Sequence, residues 1–502
     1  MKKISYAFLL LLSACAVGPD YVKPEVETPA AFKEGWKPAQ PQDNFKRNAW
    51  WKAFGDNELN SLEDQVNISN QNIKLAEAQY AQAQALVREA QAAFFPLITA
   101  NASETRSGAG SAGVSTSTTT RRKGASNLYS ASLDANWELD VWGRIRRQVE
   151  SSEATAEASA ADLESAKLSA QAALAADYLQ LRVNDAQKRL LDKAVADDER
   201  SLQLTQNQYN VGVAARADVV QAQAQLETTK AQALDVGVQR AQLEHAIALL
   251  VGKPPANFSL SPTDSVPPVP DIPVDVPSTL LERRPDIAAA ERNMAAANAQ
   301  VGVAEAAFFP SLLLSASGGF ENSSFAHWFT VPNRVWSIGP SVVETIFDAG
   351  LRSAQTKAAI AVYDQTVATY QQTVLSGFQE VEDNLASLRI LAQEAEAQAA
   401  AVAASEQSVT IALNQYKAGT VSYLAVTSAQ TTALANERTE LTVLGSRLTA
   451  SVTLIKALGG GWNRPVVAAP PSPPIETDDE LCEIDHLTPK QFYILNDVAA
   501  KP

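Results

Sequence analysis

Side chains able to ligate a metal or attack a carbonyl are sparse in this sequence. Its three histidines (His245, His327, His486) and two cysteines (Cys15, Cys482) stand far apart. They make no four-ligand zinc site, CxxC redox pair or disulfide framework. No histidine lies beside a nucleophile motif, and no lysine-bearing phosphate loop is present. Gly108-x-Gly110-x-x-Gly113 spells the dinucleotide fingerprint, but serine and threonine follow it through Thr120, where a helix is required. It reads as a flexible loop between strands. Glu380, Glu382 and Asp383 lie beside a helical stripe with no convergent partner, the pattern of a solvated face. The expectation is a protein that is not an enzyme and holds no metal or cofactor.

Cys15 has a different context. Lys2-Lys3, the apolar run from Ile4 to Leu12, and Leu12-Ser13-Ala14-Cys15 read as a secretory leader over 1–14. Small residues directly before a cysteine resemble the lipobox of bacterial lipoproteins, which would place a diacylglycerol thioether and an N-acyl chain on Cys15. Ala16 in the next position resembles outer-membrane sorting. The plainer alternative is an ordinary leader and a soluble periplasmic protein.

The elements that would position such a protein follow from charge and periodicity. A net charge of −15 repels phosphate backbones, so no nucleic-acid partner is expected. No later stretch is apolar enough to span a membrane as a helix, so any spanning must use strands.

The chain is duplicated. Ala93-Phe94-Phe95-Pro96 returns as Ala307-Phe308-Phe309-Pro310, 214 residues later. The stripe Ile73, Ala76, Tyr80, Ala83, Val87, Ala90, Phe94 returns as Ile287, Ala290, Met294, Ala297, Val301, Ala304, Phe308. Pro96 and Pro310 stop the two helices. Gln208-Tyr209 and Gly212 recur as Gln415-Tyr416 and Gly419, now 207 residues apart.

After Pro96 the period changes to two. Tyr129, Ala131, Leu133, Ala135, Trp137 and Leu139 alternate with polar residues, the pattern of a strand with lipid on one face and water on the other. Arg144 to Val211 contains no Pro or Gly, and Leu351 to Ala418 only Gly377, so each predicts a helix approaching ~100 Å. Phe378, Val381, Leu385, Leu388, Ala392, Ala395, Ala399 and Val402 carry a heptad for side-by-side packing.

The predicted organisation is a leader at 1–14, an extended lipid-anchored segment at 15–70 and a first repeat at 71–253. That repeat has strands near 95–105 and 128–140 and long helices at 144–211 and 218–251. A Pro-rich connector covers 254–285. The second repeat, 286–462, has strands near 311–321 and 335–347 and helices at 351–418 and 426–458. A Pro-rich acidic tail, expected to be mobile, fills 463–502. The fold class is mainly α with a membrane β-barrel, built from a duplicated helix-strand-strand-helix-helix repeat. Four strands cannot close a barrel in lipid, so the chain must oligomerise; a dimer gives eight strands, while a trimer gives twelve around a water-filled bore.

Leu281-Glu282-Arg283-Arg284-Pro285-Asp286-Ile287, Ala306-Ala307-Phe308-Phe309-Pro310-Ser311, Tyr416 to Leu424, and Lys456-Ala457-Leu458-Gly459-Gly460-Gly461-Trp462 resemble the TolC-like outer membrane efflux proteins. The resemblance is to the lipoprotein branch typified by OprM and NodT. It implies a homotrimer with a 12-strand barrel on a long α-helical periplasmic barrel, anchored in outer-membrane lipid. Its implied partners are a periplasmic adaptor and an inner-membrane pump, most often of the resistance-nodulation-division (RND) class, and its cargo is drugs or toxic compounds. The implied gate lies at the helix tips, matching Asp218 with Arg216 beside it in the first repeat and Ser422 and Tyr423 in the second, where Ala425 replaces the aspartate. Gly212 and Gly419 mark the hairpin turns. Asp218 also suits helix capping. A lipid-anchored coiled-coil scaffold would use the same leader and helices without needing amphipathic strands, and an ABC-type secretion duct would use the same body.

Overall fold

The computed structural model describes residues 16–29, 32–33, 49–108, 125–272 and 283–460. These lie in one compact unit, Met1–Asn463. Cys15, the loop beyond Gly108, Trp462 and the acidic tail with Cys482 fall outside the described residues.

Two short helices, α1 (Asn57–Ser69) and α2 (Gln71–Ala92), precede strands β1 (Leu97–Ser107) and β2 (Ser126–Leu139) and the long hairpin α3 (Arg144–Asn210) and α4 (Arg216–Leu250). The second repeat follows as α5 (Pro285–Ala306), β3 (Ser311–Asn322), β4 (Arg334–Val343), α6 (Leu351–Lys417) and α7 (Tyr423–Ala457). The starts have local causes. Asp56 accepts the Glu58 and Leu59 amides at 2.8 and 3.0 Å, and Asn70 accepts those of Asn72 and Ile73. Asp140 accepts the Ile145 and Arg146 amides at the head of α3, and Asp348 those of Gly350 and Arg352 at the head of α6.

The sheet is antiparallel in the order β1-β2-β3-β4. β2 pairs with β3 across the repeat boundary, from Tyr129 opposite Asn322 to Leu139 opposite Leu312. β4 ends at Val343, four residues before the expected limit, because its partner strand begins at Ser311 just after Pro310, which has no N–H to donate. Likewise β1 begins at Leu97, after Pro96. The return helices begin two and three residues earlier than expected, at Arg216 and Tyr423. The heptad stripe on α6 slips at Ala399, which is exposed; Gln398 takes the seam and donates to the Asn436 carbonyl at 2.9 Å.

The largest core joins Trp50, Trp51, Phe54, Leu59 and Val66 to Tyr178, Leu179 and Leu181 of α3, with Ile247, Leu448 and Ile455 closing it. Arg182, fully buried, ties this layer together through Glu58 at 2.5 Å, Asp185 at 3.1 Å and the Ser261 carbonyl at 2.9 Å. The described part of the connector is held the same way, with Arg189 and Arg240 donating to its carbonyls.

Quasi-equivalent helices have unequal neighbours. α3 packs against α2 and α4 of its own repeat and against α5 and α7 of the next, whereas α6 packs on α5 and α7. α5, between α3 and α6, buries Ile287, Met294, Asn298 and Val301, while α2 buries Ile73, Ala76 and Ala83. Leu375, Ile390 and Ile411 of α6 remain exposed.

Candidate functional site

The sheet separates its two faces strand by strand. Ile98, Ala135, Ala316 and Ile338 lie side by side across the four strands, and Ala100, Leu133, Gly318 and Trp336 form the next row. The opposite face carries the rows Thr99, Asp134, Ser317, Ser337 and Asn101, Ser132, Gly319, Val335. On that face Asp134 accepts from Asn101 at 2.6 Å and from Ser132 at 2.8 Å. One side suits hydrocarbon and the other water. Trp336, 73% exposed, stands on the apolar side.

At the far end of the long helices the two hairpins close alike. Gly212 and Gly419 take φ of +77° and +71°, where a Cβ would be strained. Their amides donate to Tyr209 and Tyr416 carbonyls at 2.9 Å, and the next residues, Val213 and Thr420, donate to Gln208 and Gln415. These are left-handed helix ends with paired return bonds.

Of the nominated tip residues, Arg216 and Ser422 are exposed. Asp218 is half-exposed at the third position of α4, and its Oδ2 accepts from the Ala215 amide at 3.4 Å. The Ala215 side chain has no acceptor to offer in return, although its carbonyl accepts the Asp218 amide at 3.1 Å, so this is one arm of a capping box, reinforced by the helix dipole. Tyr423 is not on the rim. As the first residue of α7 it turns into the seam, stacks edge-on against Tyr416 at 5.3 Å and packs with Ala222, Ala412 and Val426.

Above the tips lies a polar layer with no signature in the sequence. Thr229 donates to buried Asp198 at 2.6 Å. Burial raises the Asp198 carboxyl above its ordinary value, against the lowering effect of that hydrogen bond. A cavity of about 470 Å³ opens here between the hairpins, lined by Asp198, Ser201, Leu413, Gln430, Glu406 and Glu437. The Glu437 carboxyl is also raised, first by burial and then by Glu406. Among the described residues no group of three His, Cys, Asp or Glu side chains could hold a metal.

At the membrane-side end, Ala16 sits against Gly143, and the Val17 amide donates to the Trp142 carbonyl at 3.0 Å. The strap then descends α5. Asn298 donates to the Pro19 carbonyl at 2.9 Å, the Tyr21 hydroxyl donates to Glu291 at 2.7 Å, and Phe32 packs with Val381, Leu385 and Leu454. Residue 15 itself is outside the described residues. Its neighbour nevertheless lies where the strands meet the helices.

The profile described as outer membrane efflux protein matches residues 62–253 and 276–460. The chain is 30% identical over 457 residues to the probable efflux pump outer membrane protein TtgC of Pseudomonas putida, covering 90% of this chain and 94% of that one. It is 30% identical over 466 residues to the pyoverdine export outer membrane protein OpmQ of Pseudomonas aeruginosa, covering 92% and 97%. The solved outer-membrane channel OprN superposes with a TM-score of 0.83 at 33% identity, covering 90% of this chain and all of that one.

Proposed function

This chain belongs to the outer membrane efflux protein family, and from that premise we propose that three copies form the exit duct of a tripartite efflux pump. The protein is an outer-membrane channel component of an efflux system. The observation that calls for further copies is the inequality of the repeats. Among the described residues, α6 lacks extensive packing against two neighbours of the kind that its counterpart α3 has, and β1 and β4 leave their outer edges unpaired. A second copy supplies both at once: its α2 and α4 against α6, and its β1 against β4. Three such junctions give twelve strands, whose apolar rows face lipid and whose Asp134 rows face water.

In this assembly Cys15 carries the lipid, consistent with Ala16 lying at the strand–helix junction. The long hairpins continue the bore into the periplasm. Their tips meet an adaptor and, through it, a pump of the RND class, which supplies the energy while the duct gates passage. Asp218 and Arg216 in one hairpin and Ser422 in the other line the closure. Relatives are named for cargoes as different as toluene, cations and pyoverdine. A wide aqueous bore selects weakly, so small toxic compounds are the class of cargo.

The test is photo-crosslinking in intact cells from probes replacing Arg216 and Ser422. Capture of an adaptor of a resistance-nodulation-division pump is the expected result. An adaptor linked to an ABC pump redirects the reading to secretion, and no adaptor at either tip returns it to a scaffold.

A further inference from the structure

The β3–β4 connection does not stand up from the rim of the sheet. It folds back onto the apolar face. Trp328 donates its indole N–H to the Phe320 carbonyl at 3.2 Å, and the His327 carbonyl gathers the side chains of Asn322, Thr330 and Asn333 at 3.2, 3.0 and 2.6 Å. On this frame five rings form a connected set. Tyr129 touches Phe325 and Trp328 at 5.5 and 5.8 Å, Trp328 touches Phe329 at 4.8 Å, and Phe329 touches Phe320 at 5.6 Å. Tyr129 and Phe320 belong to the apolar rows by register, since Phe320 lies opposite Ala131. The outer members stay uncovered, Phe325 at 68% and Phe329 at 67%.

Arg334 sits opposite Phe320 on the same face, and its side chain makes no hydrogen bond or ion pair among the described residues. Glu104 and Arg106 occupy the corresponding end of β1, so the charge beside the rings is net basic. Tyr129 and Trp137 are the two aromatic residues of the apolar face of β2. They stand eight positions apart, ~27 Å along the strand and ~20 Å of membrane depth at a tilt of ~40°. The ring set therefore lies at one edge of the band, at the end away from the helices. Tyr129 and Trp328 have the apolar body and polar edge that collect at such an interface, the three phenylalanines add apolar surface, and a basic side chain beside them pairs with lipid phosphate.

We infer that the loop over residues 323–333 is a lateral anchor that binds the acylated phosphoglycolipid of the outer leaflet, its rings against acyl chains and Arg334 against phosphate. The inference rests on the barrel reading above, because that reading makes the apolar rows a lipid boundary with which the ring set is continuous.

Photo-reactive phenylalanine analogues placed at Phe325, Phe329, Ile338 and Ser337 test it in intact cells, with adducts identified by mass. Ile338 is mid-face on the apolar side and Ser337 is on the polar side, so they report on the barrel itself. The expected result is phosphoglycolipid on the Phe325 and Phe329 probes, acyl lipid on Ile338 and no lipid on Ser337. Arg334→Gln should lower glycolipid capture at Phe329 about fivefold without changing capture at Ile338. Lipid at Ile338 with only protein, or nothing, at Phe325 and Phe329 overturns the anchor and leaves the barrel standing. No lipid at Ile338 overturns both.

Discussion

Tyr209 and Tyr416 hold the same position in the two repeats, one turn before the hairpin glycine, yet Tyr209 is 41% exposed and Tyr416 only 6%. The difference comes from neighbours. Tyr416 stacks on Tyr423 in a cluster that includes Ala222 of α4, whereas only the proposed assembly would bring a second copy against the side of Tyr209.

Assembly should therefore change the chemistry of one tyrosine and not the other. Nitration followed by peptide mapping is expected to modify Tyr209 in dissociated chains and to spare it in the intact oligomer, with Tyr416 protected in both. Equal labelling of Tyr209 in the two states would contradict the quasi-equivalent junction.

Glu63 on α1 is fully buried beside Leu59, Leu62 and Val66, and neither carboxylate oxygen has a hydrogen-bond partner among the described residues. Burial, with Asp64 adding a little, pushes its carboxyl from 4.5 up to about 9. The folded form stays protonated where the unfolded chain has already ionised. Its contribution is complete below about pH 4.5 and is lost as pH rises toward 9, at up to about 1.4 kcal/mol per pH unit. Glu63→Gln should thus be more stable than the parent at pH 8 and close to it at pH 4, as read by thermal unfolding. A stability gap independent of pH would refute the assignment.

Asp218→Asn removes charge at the hairpin while keeping an acceptor for the Ala215 amide. Thermal stability is expected to change by less than about 1 kcal/mol per chain. Cation preference in planar-bilayer conductance should fall, because three like charges at a constriction concentrate cations. Selectivity unchanged in the variant would leave Asp218 with its capping role alone.

Gly18 has φ of +103°, and a Cβ there would come within 2.4 Å of the Gly302 backbone. Gly18→Ala should lift the strap from α5 and expose Tyr21 to Lys33 to protease, while cleavage in the long hairpins stays as in the parent. Limited proteolysis with peptide mapping decides this, and a strap as resistant as the parent's would show that the close approach is not what seats it.

The periodic parts of this architecture were legible because their physics is local. Alternation at Tyr129 to Leu139 predicts a two-faced strand, and the run from Arg144 lacks any helix breaker. Ends were less legible where a partner sets them, as at Val343, which stops pairing because β3 begins at Ser311. Tyr423 looked like a rim residue by position, and only the approach of Tyr416 from a neighbouring helix shows its burial. Asp198 and Glu63 carried no signal, since Asp198 is closed off by Thr229 of α4 and Glu63 by the packing of α1 on α3, each distant in sequence.

The duplication has diverged at one end of the molecule, with Asp218 in the first hairpin and Ala425 in its counterpart. In the proposed ring of three chains, six hairpin ends of two alternating kinds would follow one another, Arg216 beside Asp218 in one kind and Lys417 with no acid near it in the other. Any partner seated on that ring with six like contacts must use them as three pairs, and a rotation by a single hairpin would set it against the wrong sockets. On the assembly proposed above, a difference of one aspartate between the two hairpins would set the angular register of docking.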